Sequence, residues 1–156
     1  MKAKEGVIDY LNKLLTNELT AINQYFVHAE MCGHWGYDRL HDKVRSHAID
    51  EMKHAEEVIE HILYLEGVPN MQRLGTVTIG ETVPEQFKAD LKLELDNVAL
   101  LREAIAHCAK VGDFTTRHKL EEIIKSEEEH IDWLETQQET IKQVGLENYL
   151  SEQIHD

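Results

Sequence analysis

Apolar residues recur at alternating intervals of three and four through four long stretches of the chain, residues 5–33, 37–66, 83–111 and 114–144. That period gathers them on one face of an α-helix, whereas a strand would alternate in steps of two. Glycines punctuate the stretches at Gly33 and Gly36, between Gly67 and Gly80, at Gly112 and at Gly145, and proline occurs only at positions 69 and 84. Glycine tolerates the left-handed conformation that closes a helix, so these are stop signals. The pattern predicts an all-α chain of four long helices, with a short fifth helix over 146–153. Thr82-Val83-Pro84-Glu85 opens the third helix as a capping box, with proline in the first turn, where its missing N–H costs nothing.

The linker from Gly67 to Glu81 is longer than an ordinary helix connection and carries Gly, Pro, Asn and Thr. A helix of about 28 residues is about 42 Å long at 1.5 Å per residue, and an extended linker of this length can run back along it. The second and third helices can then be parallel. The expected architecture is a ferritin-like four-helix bundle with one long crossover, a single domain over residues 1–156.

The apolar stripes are interrupted in a repeated way. The first helix presents Leu11, Leu15, Glu18, Ile22, Tyr25 and Ala29; 76 residues on, the third presents Phe87, Leu91, Glu94, Val98, Leu101 and Ile105. The second presents Val44, His47, Glu51, His54, Val58 and Leu65, and the same offset gives Leu120, Ile123, Glu127, His130, Leu134 and Ile141 in the fourth. Glutamate and histidine stand where leucine belongs. Within each half, 33 residues separate the lone glutamate from the one that opens Glu-x-x-His.

Four carboxylates in a bundle core would each cost several kcal/mol unless paired. Two divalent cations would balance four negative charges, with neutral imidazoles completing the shell. Glu-x-x-His puts both side chains on one face, a turn apart. Glu18, Glu51, His54, Glu94, Glu127 and His130 are therefore the candidate metal ligands and catalytic residues. The doubled pattern is the one general to ferritin-like di-iron and di-manganese bundles. Glu152 and His155 repeat the spacing without an upstream glutamate, since Lys119 stands there. Carboxylate-rich ligation favours iron or manganese over a closed zinc site, and the chemistry expected is oxidation of Fe²⁺ by O2 or H2O2.

Composition narrows the setting. Only Cys32 and Cys108 are present, with no C-x-x-C pair, so neither a disulfide framework nor a rubredoxin-type site is available. A formal charge of -14 disfavours nucleic acid and anionic membranes and favours cations. The stretch from Met1 to Tyr10 lacks an apolar signal-peptide core and no run of 18 apolar residues occurs, so a cytoplasmic protein without a membrane span is expected.

Val7-Ile8-Asp9-Tyr10-Leu11-Asn12, Ala21-Ile22-Asn23-Gln24-Tyr25-Phe26, Ile49-Asp50-Glu51-Met52-Lys53-His54-Ala55, His130-Ile131-Asp132-Trp133-Leu134-Glu135 and Gly145-Leu146-Glu147-Asn148-Tyr149-Leu150 resemble bacterioferritin motifs, and the likeness runs over almost the whole chain. The resemblance implies a hollow 24-subunit shell that stores iron as mineral and a ferroxidase centre in each subunit. It also implies haem b between two-fold related subunits and a ferredoxin as reductant for iron release. It implies that Glu18 and His54 hold one iron, Glu94 and His130 the other, and that Glu51 and Glu127 bridge. Met52 would ligate the haem, beside a lining of Leu19, Ile22, Asn23 and Phe26. The residues give this independent weight: Ile49, Met52, Ala55 and Ile59 form a second apolar stripe on the second helix, which an isolated subunit would leave exposed.

Two departures from the family pattern, and one neighbouring histidine, bear on function. Ser46 stands where relatives often carry an inner-surface histidine, which puts an additional inner iron site in doubt. His47, one turn before Glu51, reads as a packed core histidine, with support of a ligand as the alternative. Val58 stands where some relatives have tyrosine, leaving Tyr25 and Trp133 of an aromatic relay, and Tyr25 lies within reach of a ligating carboxylate. By analogy Glu66 and Asp132 would flank a cation route, and Asn148 and Ser151 a four-fold pore. A substrate-oxidising di-iron enzyme and a structural, haem-carrying shell subunit are the competing readings; the chain lacks an insertion for a substrate cavity, and its ligand set is complete.

Overall fold

A computed structural model, described over residues 1–155, is helical throughout apart from its connections. Helices α1 (Val7–His34), α2 (Asp38–Tyr64), α3 (Val83–Val111) and α4 (Phe114–Val144) form the bundle, and α5 (Leu146–Ser151) follows after Gly145. The ends all fall within two residues of the expected ones, α5 stopping at Ser151 instead of Gln153. Helix α2 also ends earlier than its apolar pattern, at Tyr64, because Glu66 takes a left-handed φ of 62° and the Gly67 N–H returns to the Ile62 carbonyl. The closing conformation thus falls on the residue before the glycine that signals it.

Caps follow sequence chemistry. Thr82 Oγ1 accepts from the Glu85 N–H at 3.3 Å, while the Glu85 carboxylate reaches back to the Glu81 N–H at 2.8 Å, one residue before the expected partner. Between α3 and α4, Gly112 adopts φ 78°, and the Asp113 N–H returns to the Cys108 carbonyl at 2.8 Å. Asp113 then caps α4 by accepting from the Thr116 N–H at 3.0 Å.

Helix directions follow from paired contacts. As α1 ascends through Asn17, Gln24 and Cys32, its partners on α3 descend through Asn97, Asp90 and Gln86. Helices α1 and α3 are antiparallel. Contacts of Ala29 with His41 and of Met1 with Tyr64 show the same for α1 and α2, so α2 and α3 are parallel. The crossover is fastened to α1 along a polar stripe. Backbone N–H groups of Asn70, Gly75, Thr78 and Gly80 donate in turn to Asn12, Thr20, Gln24 and His28. Gly80 lies so close that a Cβ there would fall on the Gln86 backbone. Beneath it, buried Asp90 accepts from Gln24 and from His28 Nδ1, both at 2.8 Å.

The apolar core is divided. One cluster, with Leu11, Leu15, Val58, Ile62, Leu101 and Leu120, fills one end of the bundle; another, with Leu40, Phe87, Leu134 and Tyr149, fills the other. Between them the stripes change to glutamate and histidine.

Candidate metal centre

Glu18, Glu51, Glu94 and Glu127 are at most 1% exposed, and His54 and His130 are buried beside them. Each comes from a different turn of the repeat: α1 and α3 supply one glutamate apiece, α2 and α4 a Glu-x-x-His pair. The six side chains fall into two overlapping groups, Glu18, Glu51, His54 and Glu127, and Glu51, Glu94, Glu127 and His130. In each, one ligand atom per residue lies within 4.8 Å of the others. Glu51 and Glu127 belong to both. His54 Nδ1 is 3.0 Å from Glu127 and 3.8 Å from both Glu18 and Glu51. His130 Nδ1 is 3.2 Å from Glu51, 3.7 Å from Glu94 and 4.0 Å from Glu127.

Seven buried atoms here lack a hydrogen-bond partner: Glu18 Oε2, both Glu51 oxygens, Glu94 Oε2, Glu127 Oε1, and Nδ1 of His54 and of His130. All belong to the six residues. Buried polar atoms are almost always satisfied, so a cluster of orphans marks a place built for cations. The donor set, all carboxylate oxygen and imidazole nitrogen, fits two divalent ions of the iron or manganese kind.

Electrostatics agree. Burial, then repulsion from neighbouring glutamates, raises the Glu51 and Glu94 carboxyls well above the ordinary range. Burial also raises Glu127, but the close Glu94, His54 and Glu51 side chains outweigh it and hold this carboxylate low. Burial opposes a charged His54, yet the close carboxylates of Glu127 and Glu18 override it and push the imidazole up to about 10. Without metal, protons do part of the work of cations.

A family model for the ferritin-like domain matches residues 8–144. A Mycobacterium bovis bacterioferritin is 47% identical over 149 residues, which is 96% of this chain and 94% of the relative. Bacterioferritins of Streptomyces coelicolor and Brucella melitensis are 44% and 42% identical, over 97% and 96% of this chain and 90% and 92% of their own lengths. The chain is a member of the bacterioferritin family.

Around the six residues lies a layer that the sequence pattern disclosed only in part. Tyr25 donates its hydroxyl to Glu94 Oε1, the contact its place on the stripe had made plausible. Asn97, three residues after Glu94, was overlooked, although the same helical face carries both. Its amide donates to Glu18 Oε1 at 3.2 Å and Glu127 Oε2 at 3.1 Å, while Asn17 donates to its carbonyl. Asp50 meets His130 Nε2 at 3.0 Å, so a carboxylate backs this imidazole. His47 stacks on the His130 ring, centroids 4.1 Å apart, and meets Trp133 edge-on. It is packed core that also touches a candidate ligand. Burial and the neighbouring His130 and Lys43 lower its pKa to about 3, keeping it neutral.

Met52 lies apart from this centre and is 47% exposed, on a face of α2 where Ile49 and Ile59 are half-buried. One member of that expected stripe is misplaced: Ala55 is buried, within the apolar cluster that the four long helices share. Leu19, Ile22 and Phe26 are half-buried and Asn23 is exposed on the adjoining face of α1. No helix among the described residues is long and apolar enough to cross a membrane.

Proposed function

We propose that this chain is a ferroxidase and iron-storage subunit, one domain over residues 1–156. In this reading it oxidises Fe²⁺ at a centre formed by Glu18, Glu51, His54, Glu94, Glu127 and His130. The single observation that carries the reading is the cluster of seven partnerless buried ligand atoms. Two ferrous ions neutralise four carboxylates, and the extra positive charge of the ferric product is stabilised by the same oxygens. A pair of ferrous ions supplies two electrons, enough to take O2 to H2O2, or H2O2 to water. Glu51 and Glu127, shared by both groups, would bridge. Tyr25 holds Glu94, and Asn97 holds Glu18 and Glu127, so the carboxylates are oriented before the ions arrive.

Membership of the bacterioferritin family further implies, in this reading, storage of the oxidised iron as mineral within a 24-subunit shell in the cytoplasm, with a ferredoxin as reductant for release. Met52 on its half-exposed apolar face supports haem b at a two-fold interface. There an isologous contact would let Met52 of each subunit hold the haem. Haem would serve electron delivery for iron release, not iron oxidation.

Anaerobic Fe²⁺ titration followed by oxygen exposure tests the centre. Saturation at about two ions per subunit with accelerated oxidation is expected; saturation at one, or oxidation no faster than in buffer, overturns it. Absorbance of protein from haem-supplied cells tests Met52: loss or change of the haem band in Met52→Leu is expected, and an unaltered band overturns that ligand assignment.

A further inference from the structure

The 76-residue repeat that relates the two halves of the centre stops at the outer edges of its histidines. Behind His130, Asp50 meets Nε2 at 3.0 Å and His47 covers one ring face at a centroid distance of 4.1 Å and an interplanar angle of 25°. His47 is itself wedged edge-on against Trp133 at 5.1 Å, and Trp133 against Phe87 at 5.7 Å. The His130 ring thus has one face covered and its outer nitrogen paired. The corresponding positions in the other half are Ser126 for Asp50 and Ile123 for His47. Among the described residues, the polar contacts of His54 come from Nδ1 alone, toward Glu127, Glu18 and Glu51. Its side chain is 10% exposed, against 5% for His130.

We propose that His47 and Asp50 are positioning residues that make the two metal positions unequal. The position between Glu94 and His130 is held firmly, and the one between Glu18 and His54 is where ions exchange. A carboxylate behind an imidazole fixes its tautomer with Nδ1 free to ligate and raises its basicity toward metal. A stacked ring removes the rotational freedom that binding would otherwise have to quench. His54 has neither support, so its ligation is weaker and its side chain freer to move. Six repeated ligands thus give two different sites, one anchoring an ion and the other passing ions onward. This inference rests on the di-iron reading above.

Anaerobic Co²⁺ titration of the assembled protein, followed by visible absorption and calorimetry, reads affinity without requiring turnover. Wild type should take two ions per subunit, the first more tightly. Asp50→Ser and His47→Ala should each weaken the first step by about 10-fold or more while leaving the second, the usual scale for losing an outer partner of a ligating histidine. His47→Phe keeps a flat ring against His130 and should restore the first step. Ser126→Asp should tighten the second. Asp50 is 44% exposed and Ser126 half-buried, so this pair carries the test even if His47→Ala fails to assemble. An unchanged first step in Asp50→Ser overturns the proposal, as does an unchanged first step in a folded His47→Ala. Wild type binding only one Co²⁺ overturns instead the di-iron reading beneath it.

Discussion

Replacing Glu94 by glutamine should stabilise the metal-free protein and remove its stabilisation by metal. Glu94 is 1% exposed and its Oε2 has no partner, while Glu127 Oε1 nearby also has none. Glutamine keeps the carbonyl that accepts the Tyr25 hydroxyl. In place of Oε2 it puts an amide donor, available to Glu127, and it removes a carboxyl that burial and its acidic neighbours otherwise force to take up a proton. Satisfying a buried orphan is worth about 1–3 kcal/mol. For a chain of this size about 2 kcal/mol corresponds to roughly 4–8 °C in Tm. Wild type, by contrast, should gain about 2.7 kcal/mol from a divalent ion at 100 times its Kd. The assay is thermal unfolding by circular dichroism in chelator and in excess Co²⁺, which avoids oxidation. Expected are a higher Tm for Glu94→Gln in chelator and a metal-induced gain much smaller than that of wild type. A lowered Tm in chelator would refute the claim that the empty centre is strained by charge. An undiminished metal gain would remove Glu94 from the ligands.

Metal-free stability should fall as pH rises. Glu51 and Glu94 are raised above their ordinary 4.5 and His54 is raised to about 10 from 6.5, so the folded state holds more protons than the unfolded chain. The His54 contribution is full below about pH 6.5 and lost toward pH 10. That of Glu127, held low, is present above pH 4.5 and lost in acid, so stability also declines there. A Tm series from pH 4 to 10 in chelator checks both limbs, and saturating metal should flatten the alkaline one. Tyr25→Phe should leave two Fe²⁺ per subunit but lower stability by about 1–2 kcal/mol through the lost hydroxyl bond to Glu94, measured by titration and denaturant unfolding. His28→Leu should cost about 2–4 kcal/mol, because the Gly80 N–H loses its acceptor and Asp90 one of its donors. Cleavage by added protease should then concentrate in residues 68–81.

Local periodicity is a property of a single helix, and so the sequence alone determined where the helices run, which stripe of each is apolar and where glutamate and histidine interrupt it. The 76-residue offset went further, because Glu18 matches Glu94 and Glu51 matches Glu127 only if the two halves share one geometry. The length of the crossover implied that α2 and α3 are parallel. Contacts between helices were another matter. That Asp50 backs His130, that His47 stacks on it, and that Asn97 bridges Glu18 and Glu127 depend on the rotation and axial offset of each helix against its neighbours. No spacing within one helix encodes those quantities. The anchoring of the crossover by Asn12, Thr20, Gln24 and His28 is legible only afterwards as a polar stripe along one flank of α1. Ala55 illustrates the same limit: its place on an apparently outer stripe followed from the helical period, but the packed bundle buries it within an apolar cluster. Periodicity names the faces of a helix; only packing decides what each face meets.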